Sequence, residues 1–465
     1  MSFTTDESRW SDVWLAAAAR GTTICGDFLA ATALALALQG AGAGGLAVSG
    51  LLLAATLPLV VFAPLAGRLA DRIDSRTLLV TIGFGQAAIC ALLAVVEQPV
   101  LVVGLVALLA CGLAVTQPCL AALLPAMVRP ADLPRASAIS QNAVSLGALG
   151  GPVLAGLLVG QFGTRVPLLL DAATYLALVV AGLLLRTRRG GRRPAVSSEA
   201  AVASPAAVSS EAVSGSQAVS GGVAPPGGTE IGWRLRRDPL MLVMVVSTAV
   251  VIAAIGGINV IEVFFIRETL GDSATTYGLV SAAWMAGMLP GSWLAVRLAR
   301  RLYDDGALVR GVLATLAVCS LMVLLAATVP AAGVLVPLWL VGGAANGGEN
   351  VFANLLTARR VPEAMRARAY ATYGAAVQGG SMVGFLIGGA LLAVVPPRPL
   401  IAGAGVVGLL VVLAFVPVVT RAVRRSSSAG LATPGRPAEP EPAAGDTVGP
   451  WLSASHARGS GTSSS

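Results

Sequence analysis

Apolar stretches recur about every thirty residues along this chain of 465, each long enough to cross roughly 30 Å of hydrocarbon as a helix. Only 12% of the residues are charged and 56% are hydrophobic, against about 25% charged in an ordinary soluble domain. Inside a bilayer no water reaches the backbone N–H and C=O groups, so such stretches are helices that satisfy them internally. The pattern predicts an all-α membrane protein with twelve transmembrane helices. They fall at roughly 12–38, 46–66, 77–96, 99–124, 136–160, 166–185, 239–265, 274–298, 308–329, 334–358, 368–393 and 399–420.

A repeat divides the twelve into two sets of six. Arg135-Ala136-Ser137-Ala138, followed by Gly147, Gly151 and Gly156, returns 233 positions later as Arg368-Ala369-Tyr370-Ala371, followed by Gly380, Gly384 and Gly389. Arg68-Leu69-Ala70-Asp71-Arg72 returns 229 positions later as Arg297-Leu298-Ala299-Arg300-Arg301. Two homologous membrane halves suit a molecule in which one half moves against the other. The expected organisation is a short N-terminus (1–11), a six-helix bundle (12–185), a linker (186–238), a second, pseudo-symmetric six-helix bundle (239–420) and a tail (421–465).

All 31 basic residues are arginine, and they collect on one side of this topology. That side holds Arg76, Arg129 and Arg135, the clusters flanking the linker, Arg297, Arg300, Arg301, Arg359, Arg360 and Arg366. The other side has Arg165, Arg267 and Arg398. The positive-inside tendency then places both termini in the cytoplasm of a cell membrane, inner or plasma. It also explains the net charge of +8 without nucleic acid as a partner. Residues 1–10 are polar and acidic, unlike a cleavable leader. The linker repeats Ala-Val-Ser-Ser-Glu-Ala at 195–200 and 207–212 and lacks aromatics from 194 to 230, which reads as a flexible tether; the tail has a similarly disorder-prone composition. Cys25, Cys90, Cys111, Cys119 and Cys319 all fall inside spans without metal-ligand spacing, so they read as buried thiols. The single histidine, His456, lies in the tail, which leaves carboxylates to carry any proton relay. No enzyme signature and no cofactor motif is found.

Gly67-Arg68-Leu69-Ala70-Asp71-Arg72-Ile73-Asp74-Ser75-Arg76, between helices 2 and 3, resembles the loop signature G-x-L-A-D-R-x-G-R-R of the major facilitator superfamily, with departures at Asp74 and Ser75. The resemblance implies a gating role for Gly67, Asp71, Arg72 and Arg76. In helix 5, Gly147, Gly151, Pro152 and Gly156 place small residues four apart, which lets helices approach closely, and Pro152 removes a backbone donor. This run is similar to the Gly-Pro motif associated with antiporters of that superfamily, although Ala155 replaces a glycine. Cys25-Gly26-Asp27-Phe28 in helix 1 resembles the exporter branch that includes enterobactin and macrolide efflux proteins. The family implies a fold that acts as a monomer by alternating access.

Ionisable residues inside spans are costly and are functional candidates by default. Asp27 lies near the middle of helix 1, with Arg20 two turns earlier as a possible counter-charge. Glu349 borders a stripe formed by Asn346, Asn350 and Asn354 in helix 10, and its counterpart in helix 4 is near Gln117. Glu262 and Asn259 lie towards the outer part of helix 7. Proton-coupling candidates are therefore Asp27, Glu349 and Glu262. Arg20, Gln117, Gln141, Asn142, Asn259, Asn346, Asn350 and Gln378 are the cavity candidates, with Trp284, Phe264 and Phe265 as aromatic surface. Asp171 reads as structural. The expected function is a secondary active transporter that exports amphipathic small molecules, such as an antibiotic, a drug or a siderophore-like metabolite, in exchange for protons. A proton-coupled importer and a non-transporting membrane partner or sensor are the alternatives.

Overall fold

A computed structural model describes residues 8–62, 69, 73–187, 235–302 and 304–431. Twelve long helices organise them. The first six are α1 (Trp10–Gly40), α2 (Gly44–Val61), α3 (Ser75–Leu93), α4 (Pro99–Met127), α5 (Leu133–Phe162) and α6 (Arg165–Leu184). The second six are α7 (Pro239–Thr269), α8 (Ala274–Ala299), α9 (Asp305–Ala326), α10 (Leu335–Arg360), α11 (Glu363–Leu391) and α12 (Pro397–Leu431). Eleven are long and apolar enough to span a bilayer by composition alone. The exception, α10, has its apolar run interrupted by Asn346, Glu349, Asn350 and Asn354. The linker and tail segments at 188–234 and 432–465 lie outside the described residues, as do Gly67, Asp71 and Arg72.

Local chemistry sets the helix starts. Asp238 accepts from the Met241 amide at 3.2 Å ahead of Pro239, and Ser273 accepts from the Thr276 amide at 3.1 Å. Asp304 caps α9 through the amides of Gly306 and Ala307, both at 3.1 Å. The expected uninterrupted helix at 239–265 is in fact broken: regular α-helix stops at Ile255, resumes at Ile258 and ends in a π turn at Phe265–Thr269. Gly256 and Gly257 make the break, and the Gly256 carbonyl there accepts from both the Asn259 backbone amide at 3.2 Å and Asn259 Nδ2 at 3.1 Å.

Glycines fix the packing inside each half. A Cβ at Gly147 would strike the Gly21 carbonyl and one at Gly151 the Cys25 carbonyl, which presses α5 onto α1. In the second half, Gly380 and Gly384 meet the carbonyls of Ala249 and Ala253 in the same way, pressing α11 onto α7. Ala249 and Ala253 each stand 228 positions after Gly21 and Cys25, so the internal repeat is realised as equivalent helix pairs.

Contacts between the halves gather at the end where α1 finishes and α2 begins, called here the distal end. Gly156 on α5 meets Ala274 and Gly278 on α8, and Gly278 in turn abuts the Pro152 carbonyl. Gly45 on α2 meets Gly389 on α11. Three hydrogen bonds join the halves among the described residues: Ser49 Oγ to the Phe385 carbonyl at 2.6 Å, Thr275 Oγ1 to the Gly156 carbonyl at 3.2 Å and Gln39 Nε2 to Glu268 Oε1 at 3.0 Å. All three lie at the distal end, which is therefore closed.

Candidate functional site

Each half holds a carboxyl group hydrogen-bonded by a tyrosine from another helix. In the first half, Tyr175 on α6 donates its hydroxyl to Asp27 Oδ1 at 2.5 Å. Asp171, one turn before Tyr175 on the same face, is fully buried. It accepts from the Cys90 thiol of α3 at 3.1 Å and from the Thr174 hydroxyl at 3.2 Å. Gly26 is what admits it: a Cβ there would collide with Asp171 Oδ1 and Thr174 Oγ1. Arg20 donates to Ser140 Oγ on α5 at 3.2 Å, while Asp27 is met by Tyr175.

In the second half, Glu349 on α10 is 2% exposed. Tyr373 on α11 donates to its Oε1 at 2.5 Å, and Thr248 on α7 donates to the same oxygen at 3.4 Å. The halves place these groups in register. Thr248 stands 228 positions after Arg20, and Tyr373 stands 233 after Ser140. The Arg20–Ser140 contact thus corresponds to the two hydroxyls that converge on Glu349, whose own counterpart on α4 falls at Thr116 and Gln117. The repeat supplies the same positions, and each half carries its acid on a different helix.

Glu262 forms a third centre nearer the distal end. It is 7% exposed, its Oε1 has no hydrogen-bond partner, and the neighbouring side chains are Trp339 and Tyr277. Trp339 packs edge-on against Trp284, with ring centroids 6.2 Å apart. Arg267 is engaged elsewhere, donating to the Asp272 carbonyl at 2.6 Å. Phe264 and Phe265 are buried in the core.

The remaining candidates are dispersed. Asn350 Nδ2 bonds the Asn346 carbonyl at 3.0 Å within α10, and both residues are half-buried, as are Gln117 and Gln378. Gln141 has both amide atoms buried without a partner, whereas Asn142 and Asn259 are exposed. Arg76 occupies the first turn of α3, half-buried. The helix-5 motif divides its work: Gly147 and Gly151 seat α1, while Pro152 and Gly156 seat α8 of the other half. Sequence reading missed Asp171, Tyr175, Thr248 and Tyr373 as members of these centres. The spacing of Asp171 and Tyr175 on one face of α6 was the available signal; the others depend on helix pairing. A cavity of about 450 Å³ at the distal end, lined by Gly42, Gly45, Phe264, Glu268 and Leu392 among others, includes none of the carboxyl–tyrosine pairs.

A family model described as Major Facilitator Superfamily matches residues 16–256 and 244–458. Among solved structures, a variant of the nucleoside transporter NupG is similar with a TM-score of 0.69 at 13% identity, over 88% of this chain and 99% of that one. A bacterial homologue of the iron transporter ferroportin in an inward-facing state is similar with a TM-score of 0.62 at 15% identity, over 90% and 100% of the two chains. A bacterial homologue of the human lysosomal transporter Spinster, inward-facing and unoccupied, gives 0.59 at 15% identity, over 92% and 99%. No curated protein matches at a significant level. The chain belongs to the major facilitator superfamily and is a multi-pass membrane transporter of the secondary type, with no enzymatic activity implied.

Proposed function

We propose that the protein exports amphipathic small molecules in exchange for protons, working as a monomer with both termini in the cytoplasm. The observation that carries this reading is the pair of carboxyl–tyrosine contacts, Asp27–Tyr175 and Glu349–Tyr373, one in each half of a molecule closed at its distal end. A carboxyl within a bilayer is tolerated where it is hydrogen-bonded and where its charge can be cancelled by a proton. Coupling requires that proton and substrate oppose one another at one site. Protonation of Asp27 or Glu349 from the outside releases substrate, and deprotonation inside resets the site. Asn346, Asn350, Gln378 and the exposed Asn142 would line the path, because exposed amides do not face hydrocarbon. The export direction and the likeness to enterobactin and macrolide efflux proteins rest on the helix-1 and helix-5 motifs.

The test is direction of flux. Inside-out vesicles carrying the protein should accumulate a labelled lipophilic antibiotic or siderophore when their lumen is acidic, and a protonophore should abolish the uptake. Proton-driven uptake confined to right-side-out vesicles would replace export by import.

A further inference from the structure

We propose that Asp171 is the second carboxyl of the proton site in the first half, lying behind Asp27 and setting the pH at which Asp27 loads and empties. This inference rests on the proton-coupled reading above and assigns a role to a residue that the sequence presents as structural. Asp171 acts through Asp27 and is a positioning residue.

The geometry begins at Gly26. With no side chain there, the Asp171 carboxyl reaches α1 beside the backbone of the residue preceding Asp27. From the same face of α6, Tyr175 reaches Asp27 itself, so one helix addresses both acids. Asp171 is fully buried and Asp27 is half-buried. Asp27 is therefore the member that meets water or substrate, with Asp171 behind it.

The donors around the pair are neutral. They are the Tyr175 hydroxyl on Asp27, and the Cys90 thiol and Thr174 hydroxyl on Asp171. Neither acid forms an ion pair among the described residues. Two adjacent full negative charges in this position would each cost on the order of several kcal/mol. A proton on either carboxyl removes half of the charge and relieves the repulsion on the other, so the two titrations are linked. Loading adds one proton to the pair, and release returns it to water at Asp27, without any change in covalent bonding.

The other titratable groups facing the pair are Cys25 on α1 and Cys90 on α3, with Tyr175 on α6. Arg20 lies two turns before Asp27 on α1 and contacts Ser140. At its contact with α1, α5 presents Gly147, Gly150 and Gly151, and the titratable side chains of α4 are Cys111 and Cys119.

The experiment is an infrared difference titration of the detergent-solubilised, full-length protein, following the C=O stretch of protonated carboxyls. Wild type, Asp171→Asn, Asp171→Glu and Asp27→Asn are compared. The expected result is that Asp171→Asn moves the Asp27 midpoint by at least one pH unit, and that Asp171→Glu returns it most of the way. An unchanged midpoint in Asp171→Asn, with the protein folded, overturns the proposal. Should Asp171→Asn fail to fold, the double variant Cys90→Ala, Thr174→Val removes donors from Asp171 while keeping both acids. A shift of the Asp27 midpoint in that variant then supports the coupling, and its absence overturns it. The titration uses neither substrate nor flux, so a protein that titrates as a pair yet moves no protons with any compound would refute antiport while leaving the assignment of Asp171 standing.

Discussion

Single residues decide how charge is tolerated inside this bundle. Glu349 is almost completely withdrawn from solvent and takes its shortest hydrogen bond from Tyr373. Tyr373→Phe should destabilise the protein by about 1.5–3 kcal/mol, the range for a hydrogen bond to a charged group. Thermal unfolding followed by size-exclusion chromatography would register this as a fall of several degrees; an unaltered transition would show that the contact contributes nothing. A second residue-scale expectation concerns the terminal end. The Ser8 hydroxyl donates to Asp132 at 2.5 Å, and Arg129 lies beside it. The Ser8 hydrogen bond, with Arg129, holds the half-buried Asp132 carboxyl below its usual range. The sign follows from that depression: the contact is fully present above the unfolded carboxylate value and is lost as pH falls through the lower folded one. Hydrogen–deuterium exchange of the segment around Ser8–Val13 should therefore be slow at neutral pH and fast in strong acid after correction for intrinsic rates. Asp132→Asn should already be fast at neutral pH. Sequence alone exposes Asp27 and Glu349, because an acid in an apolar run stands out. Their tyrosines are hidden, because Tyr175 is 148 residues from Asp27 and meets it through tertiary packing alone.

Helices are the most legible level. Lipid forces every span to satisfy its own backbone, so an apolar run of sufficient length leaves one solution. The expected spans accordingly lie within the observed helices or close to their ends, apart from 63–66 of the second span, which lie outside the described residues. The exception is the break in α7, since Gly256-Gly257 reads equally well as a close-packing pair and as an interruption, and here it is both: the two glycines also abut α11. Glycines with the same helical conformation thus differ in function according to what faces them. Gly151 lies against the Cys25 carbonyl and the Phe28 side chain, whereas Gly85 on α3 faces open space. Gly151→Val should cost about 1–3 kcal/mol through overpacking and reduce the yield of folded protein. Gly85→Ala should be neutral or stabilising by up to about 1 kcal/mol, because alanine is the better helix former. Equal losses from both would contradict the packing assignment.

At the scale of the whole molecule, the repeat produces two bundles whose equivalent positions carry different chemistry, and the halves meet at their distal end. Transport by alternating access requires that this closure open and re-form. Gln39 and Glu268 bridge it with a 3.0 Å hydrogen bond between the ends of two long side chains, so cysteines at these two positions, joined by a bis-methanethiosulfonate linker that spans the missing side-chain length, should hold the distal end shut. Cross-linked vesicles should then lose substrate flux, and reduction of the linker's disulfides should restore it; full flux with the cross-link in place would remove distal opening from the cycle. The central claim is that membrane-embedded carboxyls exchange protons for substrate. Its most direct test is proton movement in inverted vesicles, read by a pH-sensitive dye on addition of lipophilic antibiotics, dyes and siderophores, for wild type, Asp27→Asn and Glu349→Gln. The account predicts compound-triggered proton movement in wild type that at least one variant abolishes. Compound accumulation without proton movement, or full coupling in both variants, would contradict it.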